Sequence, residues 1–330
     1  MTRVMIYEPT YRRMQARFEA LGVPFEPVLV SESGEVTVSG QAVAPEDARP
    51  EAVWANHEVF GSPAARPFMV TMLKSPALKW VQSAAAGFDN PVFGQIVQKG
   101  AKLSTSHGQA LGMAEYVLWG VIDHFQHGPE RRQAQADSAW RRVAFREILD
   151  SQWLIIGFGA IGQAVAQRAK GFGAKVTGVR RNQDAHPLAD KIAPMSALPE
   201  LLPQADVVVL CTPLTADTRH LVNADFLAAM KPASVIVNVG RGGLVDEPAL
   251  LAALDAGKPE HAVLDVFETE PLPADSPFWR HPRVNLTPHA SGITSGQWSR
   301  NEALFLENLK LYLTGQPLLN VADPKDVLAA

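Results

Sequence analysis

Three polar residues in the second half of the chain have the types and spacing to act together. Arg241 lies in Asn238-Val239-Gly240-Arg241-Gly242-Gly243-Leu244-Val245-Asp246. Glu270 lies in Leu264-Asp265-Val266-Phe267-Glu268-Thr269-Glu270-Pro271-Leu272, and His289 closes Asn285-Leu286-Thr287-Pro288-His289. Each follows an apolar run that reads as a strand. Ligands of open α/β sheets bind outside the carboxyl ends of strands, so the three can converge on one crevice. An arginine offers a planar, permanently charged donor to a carboxylate and a neighbouring carbonyl oxygen. A histidine passes a proton near neutral pH, and an adjacent carboxylate fixes its tautomer. The set suits a reaction in which a keto acid is held and its carbonyl oxygen is protonated as it becomes an alkoxide.

The partner for that chemistry is written earlier in the chain. Gly157-Phe158-Gly159-Ala160-Ile161-Gly162 fits G-x-G-x-x-G and sits directly between a strand-like run and a helix-like one. In that setting the first glycine permits a tight turn and the second lets backbone approach a diphosphate. The third lets the helix pack on the strand, with the helix N-terminus facing the negative charge. An acidic residue about 20 positions further on would bind the adenosine ribose and favour NAD(H). Here the strand Lys175-Val176-Thr177-Gly178-Val179 runs into Arg180 and Arg181 instead, and Asp184 lies beyond the expected strand end. Guanidinium groups can hold a 2′-phosphate, so NADP(H) is favoured over NAD(H).

The elements that must position these residues follow from hydrophobic periodicity. Strands are predicted at 4–7, 52–55 and 78–82, then at 153–156, 175–179, 206–210, 234–239 and 262–266. Apolar residues at Met113, Ala114, Val117, Leu118, Val121, Ile122 and Phe125 predict a helix from about Ala110. Helices are also predicted at 160–170 and 301–313, the last ending at Gly315 before an extended tail over 316–321. Strands alternating with helices predict a doubly wound parallel sheet.

Composition excludes several classes. A chain of 330 residues with 47% hydrophobic residues can build two cored domains, and a formal net charge of -4 leaves no footprint for nucleic acid. Arg131–Arg132 and Arg141–Arg142 have acids close by and read as a solvated helix face. No run approaches the ~18 apolar residues of a membrane span, and the first ten residues carry no secretory apolar region. A cytoplasmic protein is expected. One cysteine, Cys211, allows no disulfide within the chain and reads as a small apolar wall residue rather than a nucleophile. His124 and His127 stand i, i+3 without a complete ligand set, so surface placement and no catalytic metal are expected.

The order of these motifs closely resembles the D-isomer-specific 2-hydroxyacid dehydrogenases over nearly the whole chain. The resemblance runs from Lys79-Trp80-Val81-Gln82-Ser83 and Ala86-Gly87-Phe88-Asp89 through Ala114-Glu115-Tyr116-Val117-Leu118 and the glycine turn. It continues in Thr212-Pro213-Leu214-Thr215, the Arg241 and Glu270 segments and Leu286-Thr287-Pro288-His289-Ala290-Ser291-Gly292. It implies that Arg241 binds substrate and that Glu270 pairs with the acid/base His289. It implies backbone contacts from Ala86 and Gly87 to the substrate carboxylate. Cys211, Thr212 and Pro213 would line the cofactor, with Val239, Asp265, Ser291 and Gly292 near the nicotinamide, although an acid at a strand end such as Asp265 can also simply cap a helix.

Arg180 and the Asp275-Ser276-Pro277-Phe278-Trp279-Arg280-His281-Pro282 segment are similar to the NADP-preferring glyoxylate and hydroxypyruvate reductases of that family. The implied architecture is α/β with two domains. One is a Rossmann-type dinucleotide-binding domain at 108–291. The other is a discontinuous flavodoxin-like substrate domain at 1–107 and 292–330, with a cleft between them and a homodimer through the 110–125 helix. The implied activity is NADP(H)-dependent reduction of a small 2-keto acid to the D-2-hydroxy acid. Another dehydrogenase of this fold, such as one acting on phosphite, stays open. So does a dinucleotide-sensing corepressor, against which the near-minimal length counts. Substrate choice depends on residues such as 56–61 and Trp298, whose placement the sequence leaves open.

Overall fold

Short apolar runs broken by glycine, proline and polar residues form two sheets, each in its own unit of the chain. The computed structural model describes residues 1–87 and 90–329; Phe88 and Asp89 of the Ala86-Gly87-Phe88-Asp89 motif lie outside the described residues. The chain divides into a unit of residues 1–108 with 295–330 and a unit of residues 109–294.

The first unit contains β1 (Arg3–Tyr7), β2 (Glu26–Val30), β3 (Val36–Val38), β4 (Gln41–Ala42), β5 (Ala52–Ala55), β6 (Trp80–Ser83) and β7 (Lys102–Ser104). Their spatial order is β4-β3-β2-β1-β5-β6-β7. The run β2-β1-β5-β6-β7 is parallel, the flavodoxin-like order, and β3 and β4 add an antiparallel edge. The helix Gln297–Leu313 belongs to this unit because its apolar face completes the core: Phe305 stacks on Trp54 at 4.2 Å and lies 6.0 Å from Trp80. Burial of such large rings dominates core energetics, which explains why the chain's last long helix joins its first strands.

The second unit contains β8 (Gln152–Ile156), β9 (Lys175–Val179), β10 (Lys191–Ala193), β11 (Val207–Leu210), β12 (Val235–Asn238), β13 (His261–Leu264) and β14 (Val284–Leu286). All pair in parallel in the order β10-β9-β8-β11-β12-β13-β14. The helices Ala110–Phe125 and Ala160–Gly171 pack against one face, and the opposite face carries its own buried cluster. Burial on both faces accounts for the unbroken Val, Ile and Leu runs in β8, β11 and β12. Both units are therefore α/β, with parallel sheets at their centres.

Several details differ from the expectations. The last helix starts at Gln297, a turn before 301. The tail after Gly315 is not merely extended: Val321 bridges to Ser104 and a helix, Pro324–Ala329, follows. Arg131 and Arg132 do lie on the helix Gly128–Ala136, but Arg141 and Arg142 lie in an irregular segment where Trp140 is 95% exposed. The short strands β3, β4, β7, β10 and β14 escape sequence reading because two or three residues show no period, and the five-residue β2, which opens with Glu26-Pro27, escapes it as well. Among the described residues no helix is long and apolar enough to cross a membrane.

The histidines also depart from the expected surface pair. His127 lies beyond the end of the Ala110–Phe125 helix with φ of 53°, while His124 is turned inward and stacks on His261 at 4.3 Å. His261 opens β13, and its Nε2 is buried with no hydrogen-bond partner among the described residues. Burial, then neighbouring His124, pushes the His261 imidazole down to about 3, well below the ~6.5 of an unfolded chain. Below pH 6.5 the unfolded chain therefore binds a proton that the fold refuses, so stability present at neutral pH is lost as pH falls from about 6.5 toward about 3. The expected result is that H261F reduces the difference in denaturant midpoint between pH 7 and pH 5. An unchanged difference would show that His261 does not carry this dependence.

Candidate active site

The strand order of the second unit's sheet reverses between β8 and β11, and the Gly-rich turn emerges there. Gly157 follows β8 with φ of +95°, and a Cβ there would lie 2.5 Å from the Cys211 carbonyl carbon and the Thr212 nitrogen. Only glycine allows the ends of β8 and β11 to come this close. Gly162 has the same reason, since its Cβ would meet the Gly157 carbonyl oxygen at 2.2 Å. Gly159 differs: a Cβ there would meet nothing within 4 Å. It caps the helix Ala160–Gly171 without any side-chain hydrogen bond, so the first-turn amides face open space. Phe158 turns its ring into the core against Gly178, leaving only its backbone for a ligand.

Arg180 follows β9 directly. Its Nη2 donates to the Asp184 carbonyl oxygen at 2.7 Å, while its Nε is buried with no partner among the described residues. Arg181 beside it is exposed. An open helix N-terminus and an unsatisfied guanidinium nitrogen at the adjacent strand end fit a dinucleotide with negative charge at both places. Cys211 and Thr212 follow β11, and burial pushes the Cys211 thiol up to about 12, so it stays protonated. Ile161 and Ala160 are partly buried beside the same core, as Val239 is fully.

Arg241, Glu270 and His289 stand at the same carboxyl edge, after the successive strands β12, β13 and β14. Arg241 follows β12 and starts a turn at Gly242–Leu244; buried Asn238 accepts from the Gly240 amide and donates to the Arg241 carbonyl, both at 3.0 Å. Arg241 Nη1 donates to the Gly240 carbonyl at 2.8 Å. Glu270 follows β13 and accepts the Phe267 amide through Oε1 at 3.0 Å. His289 follows β14, and its Nδ1 meets Glu270 Oε2 at 2.7 Å. The structure thus brings His289 and Glu270 into direct contact, with Arg241 on the neighbouring strand end. The pair remains open to solvent, with the His289 side chain 50% exposed. With Nδ1 committed to the carboxylate, Nε2 is the nitrogen available to a reactant.

Asp265 explains how His289 is held. Its buried carboxylate accepts the Ala290 amide at 2.8 Å, the Ser291 amide at 3.0 Å, and the hydroxyls of Ser291 and Thr287. Its own carbonyl accepts the His289 amide at 2.7 Å. His289 itself adopts a left-handed φ of 51°, a conformation an imidazole residue rarely takes without such support. Tyr116 completes the cluster at 2.8 Å from the Thr287 hydroxyl, and burial pushes its phenol up to about 12. Sequence reading missed Tyr116, Thr287 and Asn238 as positioning residues. The only signal was a polar residue amid apolar neighbours.

Ala86 and Gly87 lie in the first unit, in the loop after β6. The short helix His57–Phe60 and Trp298 line a pocket there together with Asn56 and Ala84. Burial lowers the His57 imidazole pKa, opposed by a hydrogen bond to the Ala84 backbone, and Gln297 Nε2 sits 3.1 Å from its Nε2.

Comparison with known proteins accords with this geometry. The family model described as D-isomer specific 2-hydroxyacid dehydrogenase, NAD binding domain, matches residues 118–291. The chain belongs to the D-isomer specific 2-hydroxyacid dehydrogenase family. It is an oxidoreductase family that depends on NAD(P). The chain is 32% identical to a glyoxylate reductase of Thermococcus gammatolerans over 73% of its own length and 75% of the relative's. It is 32% identical to a D-3-phosphoglycerate dehydrogenase of Bacillus subtilis, over 75% of its own length but only 47% of that protein. Among solved structures it resembles a D-isomer specific 2-hydroxyacid dehydrogenase from Xanthobacter autotrophicus Py2 in complex with NADPH and MES. The TM-score there is 0.76 at 28% identity, covering 99% of each chain.

The Asp265 cluster makes a direct prediction. Asp265→Ala leaves buried amide and hydroxyl donors without an acceptor, and is expected to cost about 2–4 kcal/mol of stability in chemical denaturation. A loss under about 0.5 kcal/mol would mean that water replaces the carboxylate there.

Proposed function

We propose that the protein reduces a small 2-keto acid of the glyoxylate or hydroxypyruvate type to its D-2-hydroxy acid, with NADPH preferred to NADH. The observation that carries the reading is the His289–Glu270 contact of 2.7 Å on the strand end beside Arg241, at the edge that also bears the glycine turn. Arg241 holds the carboxylate and carbonyl oxygen of the substrate. His289 gives its Nε2 proton to that oxygen as negative charge develops on it, and Glu270 keeps the ring in the required tautomer and stabilises its charge. When bound, the nicotinamide supplies the hydride.

The turn 157–162 would hold the diphosphate, lined further by Cys211, Thr212 and Pro213. Val239, Asp265, Ser291 and Gly292 would stand near the ring. For Ser291 and Asp265 the reading is indirect, because their polar groups are committed to each other. Arg180 and Arg181 would take a 2′-phosphate, and the buried unpaired Nε of Arg180 supports this. In domain terms, 108–291 is the dinucleotide-binding domain and 1–107 with 292–330 the substrate domain. Exposed Trp119 and Leu111 on the Ala110–Phe125 helix support a homodimer through that surface, in keeping with a soluble cytoplasmic enzyme.

Steady-state rates on glyoxylate and hydroxypyruvate with each cofactor test the reading. NADPH is expected to support faster turnover, H289N to lower kcat by about 10²–10⁴-fold, and R180A to cut the NADPH/NADH preference about tenfold or more. Preference for NADH would overturn the cofactor assignment and leave the chemistry standing. Similarity to the Bacillus subtilis enzyme favours one rival, oxidation of 3-phosphoglycerate, and preference for phosphohydroxypyruvate in the same panel would select it.

A further inference from the structure

The segment that carries Glu270 is fastened to the rest of the second unit by residues with no part in the chemistry just described. On one side lies the turn that carries Arg241. A Cβ on Gly242 would stand 1.8 Å from the Phe267 carbonyl carbon and 2.3 Å from the Glu268 nitrogen, so the two backbones lie directly on one another. Beyond that turn, Glu247 reaches back, and its Oε1 accepts the Glu268 amide at 2.7 Å. On the other side, Glu268 Oε1 meets His220 Nε2 at 2.9 Å and Arg219 Nη1 at 3.6 Å. His220 is itself tied to the Arg241 turn, since its amide donates to the Gly243 carbonyl at 2.8 Å.

Two acidic side chains beside one amide are an unfavourable arrangement in themselves. Burial and the neighbouring Glu268 carboxylate both raise the Glu247 pKa, and the amide hydrogen bond opposes them. The fold tolerates this because the bond fixes the backbone at Glu268, one residue from the Phe267 amide that orients Glu270.

We propose that Glu247 and the Glu268–His220 pair are positioning residues for Glu270, holding the 267–270 backbone so that the Glu270 carboxylate stays on His289 Nδ1. The same contacts tie the Arg241 turn to the Glu270 loop, so the cation and the acid/base pair keep a common frame. The inference rests on the catalytic reading of His289 and Glu270 given above. Its test includes a measurement that needs no turnover.

Glu247→Ala removes the acceptor of the Glu268 amide, whereas Glu247→Gln keeps an amide oxygen able to accept the same bond. E247A is expected to lower kcat about tenfold while KM for the keto acid changes less than about twofold, and E247Q is expected to recover most of the loss. In the absence of substrate, the His289 Nδ1 proton bonded to a carboxylate gives a far-downfield proton NMR signal, identified by its loss in H289N and E270Q. That signal is expected in the wild type and E247Q and lost to solvent exchange in E247A. Retention of signal and kcat in E247A overturns the proposal, as does equal loss in E247A and E247Q, which marks a merely structural role. Should E247A fail to fold, H220A removes the other tether; it is expected to weaken the signal and lower kcat about threefold, and no change in either overturns the proposal. A wild type that shows the signal but turns over no keto acid refutes the proposed substrate while leaving the positioning test intact.

Discussion

A buried carboxylate held by amides and hydroxyls organises the carboxyl edge of the second unit. Asp265 sits at the carboxyl end of β13, and backbone amides and hydroxyls from residues 287–291 converge on it. Taking such a charge out of water is costly unless several dipoles replace its hydration. Here they come from one short turn, so satisfying the charge and folding the turn are the same event. That turn places His289 in a left-handed backbone conformation, with its imidazole against Glu270. Without the Asp265 anchor, His289 would sit just past the end of a three-residue edge strand.

The glycines act in a complementary way, by letting backbones touch where side chains would hold them apart. Gly157 brings the ends of β8 and β11 together, and Gly242 seats the Arg241 turn on the Phe267–Glu268 backbone. Gly159 serves the opposite purpose, leaving space over a helix N-terminus that faces no side-chain cap. Close packing below and open space above leave the backbone of the turn uncovered by side chains. Arg180 stands at the end of the next strand, with a buried nitrogen that finds no partner among the described residues.

The first unit is organised around rings instead. Phe305 against Trp54 and Trp80 draws the Gln297–Leu313 helix onto strands from the start of the chain, so apolar burial sets its connectivity. The pocket lined by His57 and Trp298 is also lined by Trp54 of that ring cluster and by Asn301 of the returning helix.

The sequence by itself determined the strand-forming runs of the second unit, the glycine turn, the arginine in place of an acid after β9, and the family. These are local matters: period, turn chemistry and ordered motifs are each written in contiguous residues. It also named Arg241 and Glu270, each just past a readable strand, and His289, from the ordered motif Leu286-Thr287-Pro288-His289 that follows them. What only tertiary structure decided is which residues meet. His124 faces His261 across 137 positions rather than solvent, Glu247 reaches Glu268, and Tyr116 joins Thr287 and Asp265. The physical reason is the same in each case. A hydrogen bond or ring contact between distant residues depends on strand order and register, and a strand of two or three residues leaves no periodic trace from which that order could be read.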